Sequence, residues 1–315
     1  MRKAALAIST KISVVVPVYN SQATLVELIE RVSKVLAPVG PFEIILVNDG
    51  SRDRSADVCR KLALGNEFVK FISFFRNFGQ ASAILAGLRE ARGSVCVIMD
   101  DDLQNPPEEI LKLLEGIDNG FDFAFGVTPR PSQSLFRLLA SKLTFKMADL
   151  MLDKPRGLYH SSFLALRQEI VRQIVHYDGP YPYLAGLIFR VSHHGTNVMV
   201  RNDERKQGQS QYSLVKLIKL WINSFTSFSV VPLRVAGLVG SLISLSGFIL
   251  LGVLVVQRLF YGRFLTGWIS LLGASLIFSG VQLLALGLLG EYLGRGFMLL
   301  NKSPQYSIRE KLNCE

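Results

Sequence analysis

The stretch Val95-Cys-Val-Ile-Met-Asp100-Asp101-Asp102-Leu-Gln-Asn-Pro-Pro-Glu108 decides the fold. Its first five residues are apolar and include β-branched members, as an interior strand of a parallel sheet requires. The three acids that follow fall at the carboxyl end of that strand, where open α/β sheets place their ligands. Pro106-Pro107 then marks a turn that opens a helix. Three adjacent carboxylates repel one another unless a cation neutralises them. An all-oxygen donor set selects a hard divalent ion, Mg²⁺ or Mn²⁺, shared with substrate phosphates. An acidic turn complementing the positive end of the next helix would use the same residues. This stretch alone leaves both readings open.

Outward from it the same pattern repeats. Residues 12–18 form a first strand ended by Tyr19-Asn20, and residues 24–36 carry Leu25, Leu28, Ile29 and Val32 on one helical face. Residues 42–47 are a second strand ending in Asn48-Asp49-Gly50-Ser51, and residues 68–74 a third. Asn77-Phe78-Gly79-Gln80 starts a helix through Arg89, 95–99 is the fourth strand and 121–127 the fifth. Strands alternating with helices predict βαβ units and a parallel sheet covered on both faces. No Gly-x-Gly-x-x-Gly follows a strand and no P-loop motif occurs, which excludes the usual dinucleotide and nucleotidase fingerprints. Asp49 is a second acid at a strand end. It either converges with Asp100–Asp102 on one crevice, accepting hydrogen bonds from a base or ribose, or makes an Asx-turn ahead of Gly50.

Mean hydropathy over the 315 residues is +0.31, and the excess is concentrated: from 235 to 290 the only charged residues are Arg258 and Arg263. The net charge of +10 gathers beside these apolar segments, which favours an anionic membrane surface. No interleaved basic and aromatic platform suits nucleic acid. Cys59, Cys96 and Cys314 are widely spaced and read as reduced thiols. The opening Met1-Arg-Lys-Ala-Ala-Leu-Ala-Ile8 has an apolar run too short for a signal peptide, and reads as an uncleaved tail.

Taken in order, Pro17-Val-Tyr-Asn20, Val47-Asn-Asp-Gly-Ser51, Arg76-Asn-Phe-Gly-Gln80 and Asp100-Asp-Asp-Leu-Gln-Asn-Pro-Pro-Glu108 resemble the inverting family 2 glycosyltransferases of GT-A fold. The set is similar to their membrane-bound polyprenyl-phosphate branch, which includes dolichyl-phosphate mannose synthase and bacterial undecaprenyl-phosphate sugar transferases. The likeness spans roughly the whole chain. It implies that Pro17, Tyr19, Asn20, Asp49, Gly50, Gln80, Asp100 and Asp101 line the nucleotide-sugar pocket. It also implies that Asp100 and Asp102 are the two acids of an Asp-x-Asp motif, with Asp102 the main metal ligand and Asp100 nearer the ribose. Asp101 stands where the family usually has a small residue.

Further along, Arg130, Arg137, Lys142 and Lys146 fall on an expected helix, where they meet an acceptor phosphate or face solvent. Gly157-Leu158-Tyr159-His160-Ser161 occupies the place of the family's Gly-Asp-Phe/Tyr; Leu158 replaces the acceptor-site acid and Leu164 the following Arg. His160, two residues on, can titrate near neutral pH and substitute, or be structural. Arg205-Lys-Gln-Gly208-Gln-Ser210-Gln-Tyr212 resembles the family's Arg-x-x-Gly-x-Ser-x-Tyr loop, with Gln211 in place of a common Lys. The resemblance makes Arg205 the clamp on the diphosphate and brings Ser210 toward the acceptor phosphate.

Residues 213–231 place Leu214, Leu217, Ile218, Trp221, Phe225 and Phe228 at helical spacing against Lys216, Lys219 and Asn223, as an interfacial helix would. Residues 235–257 and 264–290 are each long enough to cross a bilayer. Two spans put both chain ends on one side. Lys216, Lys219, Arg234, Arg295, Lys302, Arg309 and Lys311 outnumber Arg258 and Arg263, so that side is expected to be cytoplasmic, at the inner (plasma) membrane.

The expected organisation is an α/β GT-A domain over 1–212, an interfacial helix region over 213–233, two transmembrane helices over 234–291 and a cytoplasmic tail over 292–315. The expected activity is inverting transfer of a sugar, from a UDP-linked donor, to undecaprenyl phosphate for modification of a cell-surface glycan. Mg²⁺ or Mn²⁺ is the cofactor, and the resemblance suggests a homotetramer. Leu158, Leu164 and Gln211 motivate the alternative of a catalytically weakened homologue serving as a membrane scaffold or subunit.

Overall fold

The computed structural model describes residues 11–128, 155, 157–179, 182–203, 231–261, 267–301 and 304–314. Its first half follows the expected alternation: β1 (Ile12–Val18), α1 (Leu25–Leu36), β2 (Phe42–Asn48), α2 (Ser55–Gly65), β3 (Val69–Phe74), α3 (Gln80–Glu90) and β4 (Val95–Ile98). A 3₁₀ turn at Pro107–Glu109 leads into α4 (Ile110–Asp118), followed by β5 (Phe123–Val127). The prolines thus start a turn, and the α-helix begins one step later. Beyond it lie β6 (Leu164–Arg167), α5 (Gln168–Ile174), α6 (Leu184–Val191), β7 (Gly195–Met199), α7 (Val231–Tyr261), α8 (Trp268–Leu300) and β8 (Ile308–Leu312).

One eight-stranded sheet runs in the order β7-β5-β6-β4-β1-β2-β3-β8. The four strands read first from sequence, β4-β1-β2-β3, are mutually parallel. The whole sheet is mixed: β6 lies antiparallel between β4 and β5, and β8 lies antiparallel against β3. The segment expected to be a cytoplasmic tail therefore supplies an edge strand, and the sheet domain is built from both ends of the chain.

All seven residues of β1 are buried, because helices cover both sheet faces. Val14 and Val16 pack on one face with Leu25, Leu28, Ile29, Val32 and Leu36, the apolar stripe of α1. Val15 packs on the other with Ile84, Leu85 and Leu88 of α3. A Cβ on Gly87 would come 2.4 Å from the Val15 side chain, so only glycine lets α3 sit this close to the sheet. Each fully buried aliphatic side chain contributes about 1.5–3 kcal/mol.

Helices α7 and α8 are long, pack on each other, and present large apolar residues outward, among them Leu242, Ile249, Leu283 and Phe297. Among the described residues one segment, Ile277–Met298, is long and apolar enough to cross a membrane; Ala236–Gly247 is a shorter apolar stretch. Arg258 lies inside α7, so the link between the helices starts later than its charge suggested. A Cβ at Gly237, Gly240 or Gly280 would meet nothing within 4 Å. Residues 213–230 of the expected interfacial helix, with Arg130, Arg137, Arg205 and Ser210, lie outside the described residues.

At the end of the sheet away from the strand tips, Glu43 is buried. It accepts from the Ser13 hydroxyl at 2.6 Å and the Arg92 amide at 2.8 Å, and pairs with Lys11 and Lys70, each at 3.0 Å. Burial alone would raise its pKa. The Ser13, Arg92 and lysine contacts outweigh that and bring it to about 2, from 4.5. A folded value below the unfolded one means that this carboxylate stabilises the fold above about pH 4.5, and the contribution fades as the pH falls toward 2. Glu43→Gln leaves Lys70 buried beside a neutral amide. Denaturant unfolding at pH 7 is expected to show a loss of about 3 kcal/mol, shrinking as the titration is taken toward pH 3.

Candidate active site

The parallel register sets the site. Val18 pairs with Asn48 and Val15 with Ile98, so the tips of β1, β2 and β4 reach the same edge together. Tyr19, Asp49 and Asp100 follow those tips directly or within two residues.

Asp100 is held from both sides. Its Oδ1 accepts from Gln80 Nε2 at 2.6 Å and its Oδ2 from the Ser162 hydroxyl at 2.5 Å. Gln80 begins α3 and was expected in the nucleotide pocket; the structure makes it a fixing arm for Asp100. Ser162 was missed. It lies two residues past His160 in the stretch where the family motif breaks down, and nothing in its local sequence distinguishes it. Asp102 accepts from the Gln104 amide at 3.1 Å, closing a tight turn in which buried Leu103 has a φ of 60°. A leucine in the left-handed region is uncommon and costs on the order of 1 kcal/mol. Its burial among Met99, Ile110 and Phe163 in one core cluster holds it there.

Asp101 turns away from its neighbours and into the protein. Its carboxylate accepts from the Tyr19 amide at 3.0 Å, and its carbonyl accepts from the Thr24 hydroxyl at 2.6 Å. It ties the loop after β1 to the acidic turn. Burial pushes its pKa up to about 6. Asp100 and Asp102 add repulsion, while the Ser21 hydroxyl and Tyr19 amide oppose the rise.

Asp49 is also buried. Its two oxygens accept from the Phe78 and Gly79 amides at 2.6 and 2.9 Å, which fastens the loop ahead of α3 to the tip of β2. Burial pushes its pKa up to about 6 despite these donors. The Asx-turn considered for Asp49 is not made, since its carboxylate goes to Phe78 and Gly79; the neighbouring Asn48 braces this turn, its Oδ1 accepting from the Ser51 amide three residues on at 3.2 Å. Gly50 has a φ of 62°, and a Cβ there would lie 2.4 Å from the Arg76 carbonyl carbon, so its role is to let two loops touch. Asn20, at φ 55°, accepts from the Arg52 amide and crosslinks the first two tips.

On the far side, Leu158 is buried in the apolar cluster with Phe125, Leu164 and Phe189. The position at which the family resemblance implies an acid is here part of the core. His160 is exposed, with Nε2 3.5 Å from the Tyr183 hydroxyl. Cys59 and Cys96 are buried free thiols, each pushed up to about 12 by burial, and Cys314 is also free.

A covered α/β sheet with acids and loop-crosslinking residues gathered at its carboxyl edge defines a GT-A-like domain. The chain belongs to glycosyl transferase family 2, whose model matches residues 13–175. It is a glycosyltransferase. It is 39% identical, over 97% of its length and 94% of the relative's, to an undecaprenyl-phosphate 4-deoxy-4-formamido-L-arabinose transferase of Yersinia enterocolitica. An uncharacterized glycosyltransferase of Bacillus subtilis, YkcC, is 34% identical over 96% of this chain and 94% of that protein. Among solved structures, glucosyl-3-phosphoglycerate synthase from Mycobacterium tuberculosis in complex with phosphoglyceric acid shares the fold. The TM-score is 0.52 at 18% identity, covering 71% of this chain and 80% of that one.

The placement of Asp101 carries a pH signature. Its folded pKa lies above the unfolded 3.8, so its ionised form costs stability in full above about pH 6 and not at all below about pH 3.8. In metal-free buffer at pH 8, Asp101→Asn is expected to be more stable than the parent by on the order of 2 kcal/mol. Melting curves at pH 8 and pH 4 should show that advantage present at the first and gone at the second.

Proposed function

We propose that this glycosyltransferase moves a sugar, with inversion, from a nucleoside diphosphate to a polyprenyl phosphate, undecaprenyl phosphate, at the cytoplasmic face of a membrane. The observation that carries the reading is the end-to-end likeness to transferases named for that acceptor, 94% of the length of the Yersinia enterocolitica protein included. Uridine diphosphate is the leaving group proposed for the donor, and modification of a cell-surface glycan the use of the product.

The donor set fits a hard divalent cation. Asp100 and Asp102 offer carboxylate oxygens at one edge, and each repels the charge of Asp101 between them. Two carboxylates completed by substrate phosphates are a common arrangement for Mg²⁺ and Mn²⁺. Bound there, the cation would act as a Lewis acid on the departing diphosphate. The chain's own residues do the rest. Gln80 and Ser162 fix the rotamer of Asp100 before substrate arrives, so no reorganisation is needed. Asp101 and Asp49 hold the loops of Tyr19 and Phe78 around the nucleotide. Arg205 supplies a charged fork to the diphosphate, while Arg130, Arg137, His160 and Ser210 are assigned to the acceptor phosphate. That acceptor is already anionic near neutral pH, so a buried Leu158 in place of a carboxylate is compatible with turnover.

Chain topology supports the membrane reading. The chain leaves the sheet after β7 and rejoins it at β8, so any crossings between them are even in number. If Ile277–Met298 crosses, a second crossing is needed, and α7, about 46 Å long at 1.5 Å per residue, is the proposed partner. The surplus of Lys and Arg beside the sheet domain supports a cytoplasmic position for that domain.

The test is turnover by the purified full chain in detergent with undecaprenyl phosphate, Mg²⁺ or Mn²⁺ and a panel of nucleotide sugars. A lipid-linked product is expected, lost with EDTA, restored by metal, and reduced at least about 100-fold in Asp102→Asn. Nucleotide binding with metal but no product across the panel would favour the scaffold alternative.

A further inference from the structure

Beyond the membrane hairpin the chain is stitched back onto the sheet domain by more than one strand. The Phe75 amide donates to the Ser307 carbonyl at 3.1 Å, and Arg60 grips Glu310 through Nε at 3.0 Å and Nη2 at 2.8 Å. Lys311 pairs with Glu90, and Asn313 Nδ2 donates to the carbonyls of Ala63 and Val69 at 2.7 and 2.8 Å. Just ahead of β8, the Tyr306 ring stacks on Phe74 with centroids 4.9 Å apart and planes 9° from parallel.

The density of contacts peaks at Arg89, in the last turn of α3. Its Nη1 donates to the Tyr306 hydroxyl at 2.7 Å, its Nε to the Val175 carbonyl at 3.1 Å, and its Nη2 to the Tyr177 carbonyl and Asp178 Oδ1, both at 3.1 Å. Gln305 Nε2 donates to the carbonyls of Tyr177 and Gly179 at 2.8 and 2.7 Å. Three backbone carbonyls of the α5–α6 connection thus take donors from a rigid guanidinium fork and from the post-hairpin segment. That connection leads to Tyr183, which faces His160, two residues from Ser162 and its bond to Asp100. The opposite end of α3 begins with Gln80, which holds Asp100 from the other side.

We propose that Gln305, Tyr306 and Arg89 form a clamp that fixes the membrane hairpin against the acceptor side of the crevice, and that they are positioning residues for the lipid phosphate. Helix α8 ends at Leu300, and five residues at about 3.4 Å each allow no more than ~17 Å between that end and Gln305. The clamp therefore sets where the lipid-bearing hairpin stands relative to Asp100, with α3 as the ruler between them. The lipid-phosphate part rests on the proposed acceptor; the clamp itself does not.

The test uses the full chain in nanodiscs containing undecaprenyl phosphate, with Gln305→Ala, Arg89→Ala and Tyr306→Phe. Hydrogen exchange of amides 175–179 and 183 is expected to speed up at least tenfold in Gln305→Ala and Arg89→Ala. The KM for undecaprenyl phosphate should rise at least fivefold, with the nucleotide-sugar KM within twofold of the parent. Tyr306→Phe keeps the ring stack and should recover most of the parent's acceptor KM. Gln305→Ala removes three hydrogen bonds, two donated by its Nε2 and one that its Oε1 accepts from Arg89 Nη2 at 3.3 Å, and carries the test if Arg89→Ala does not fold. Unchanged exchange in Gln305→Ala would overturn the clamp. A faster loop with an unchanged acceptor KM, or with both KM values rising together, would overturn the positioning role. If the parent transfers nothing to the lipid, the failure belongs to the acceptor assignment, and exchange alone decides the clamp.

Discussion

The structure depends on one constraint, the parallel in-register pairing of β4, β1 and β2. With Val18 opposite Asn48 and Val15 opposite Ile98, three tips end at one edge. A one-residue slip would turn every side chain of β1 to the other face of a sheet covered on both sides. Burial of all seven β1 residues forbids it. The acids of the site are thus brought to one edge by the apolar core, and hydrogen bonds from Gln80 and Ser162 then set the side chain of Asp100.

That placement concentrates negative charge, and the fold manages it unevenly. Asp49 and Asp101 are drawn inward, where backbone amides accept the burden of their charge and burial holds their pKa values near 6. Asp100 and Asp102 stay at the crevice. The result is two structural carboxylates that brace loops and two left at the sheet edge, which we propose meet the substrate. A sequence motif of three consecutive acids does not reveal this division, since it depends on which way the chain turns at Leu103.

The first five strands and the helices between them were legible because apolar runs and helical periods are local signals. Helix α1 carries its stripe at the spacing that its burial requires. The acidic edge was legible for the same reason. What escaped was non-local. β6 and β8 are short, three of the five residues of β8 are charged, and each takes its strand geometry only from a partner far away in sequence. Ser162 and the Arg89 network are invisible until β6 and the post-hairpin segment are in place. The mixed sheet and the inward turn of Asp101 belong to the same class. Sequence pattern reports what a segment buries, while its hydrogen-bond partners come from tertiary pairing.

The return of β8 joins the chain beyond the apolar helix α8 back onto the sheet domain. We propose that Asp102, with Asp100, holds a divalent cation together with the donor's diphosphate at the edge this register creates. The decisive measurement is Mn²⁺ binding followed by electron paramagnetic resonance, with and without UDP. Weak binding to the protein alone, at least tenfold tighter binding with UDP, and loss of both in Asp102→Asn are expected. Mn²⁺ bound equally well by the parent and by Asp102→Asn in the presence of UDP would contradict it.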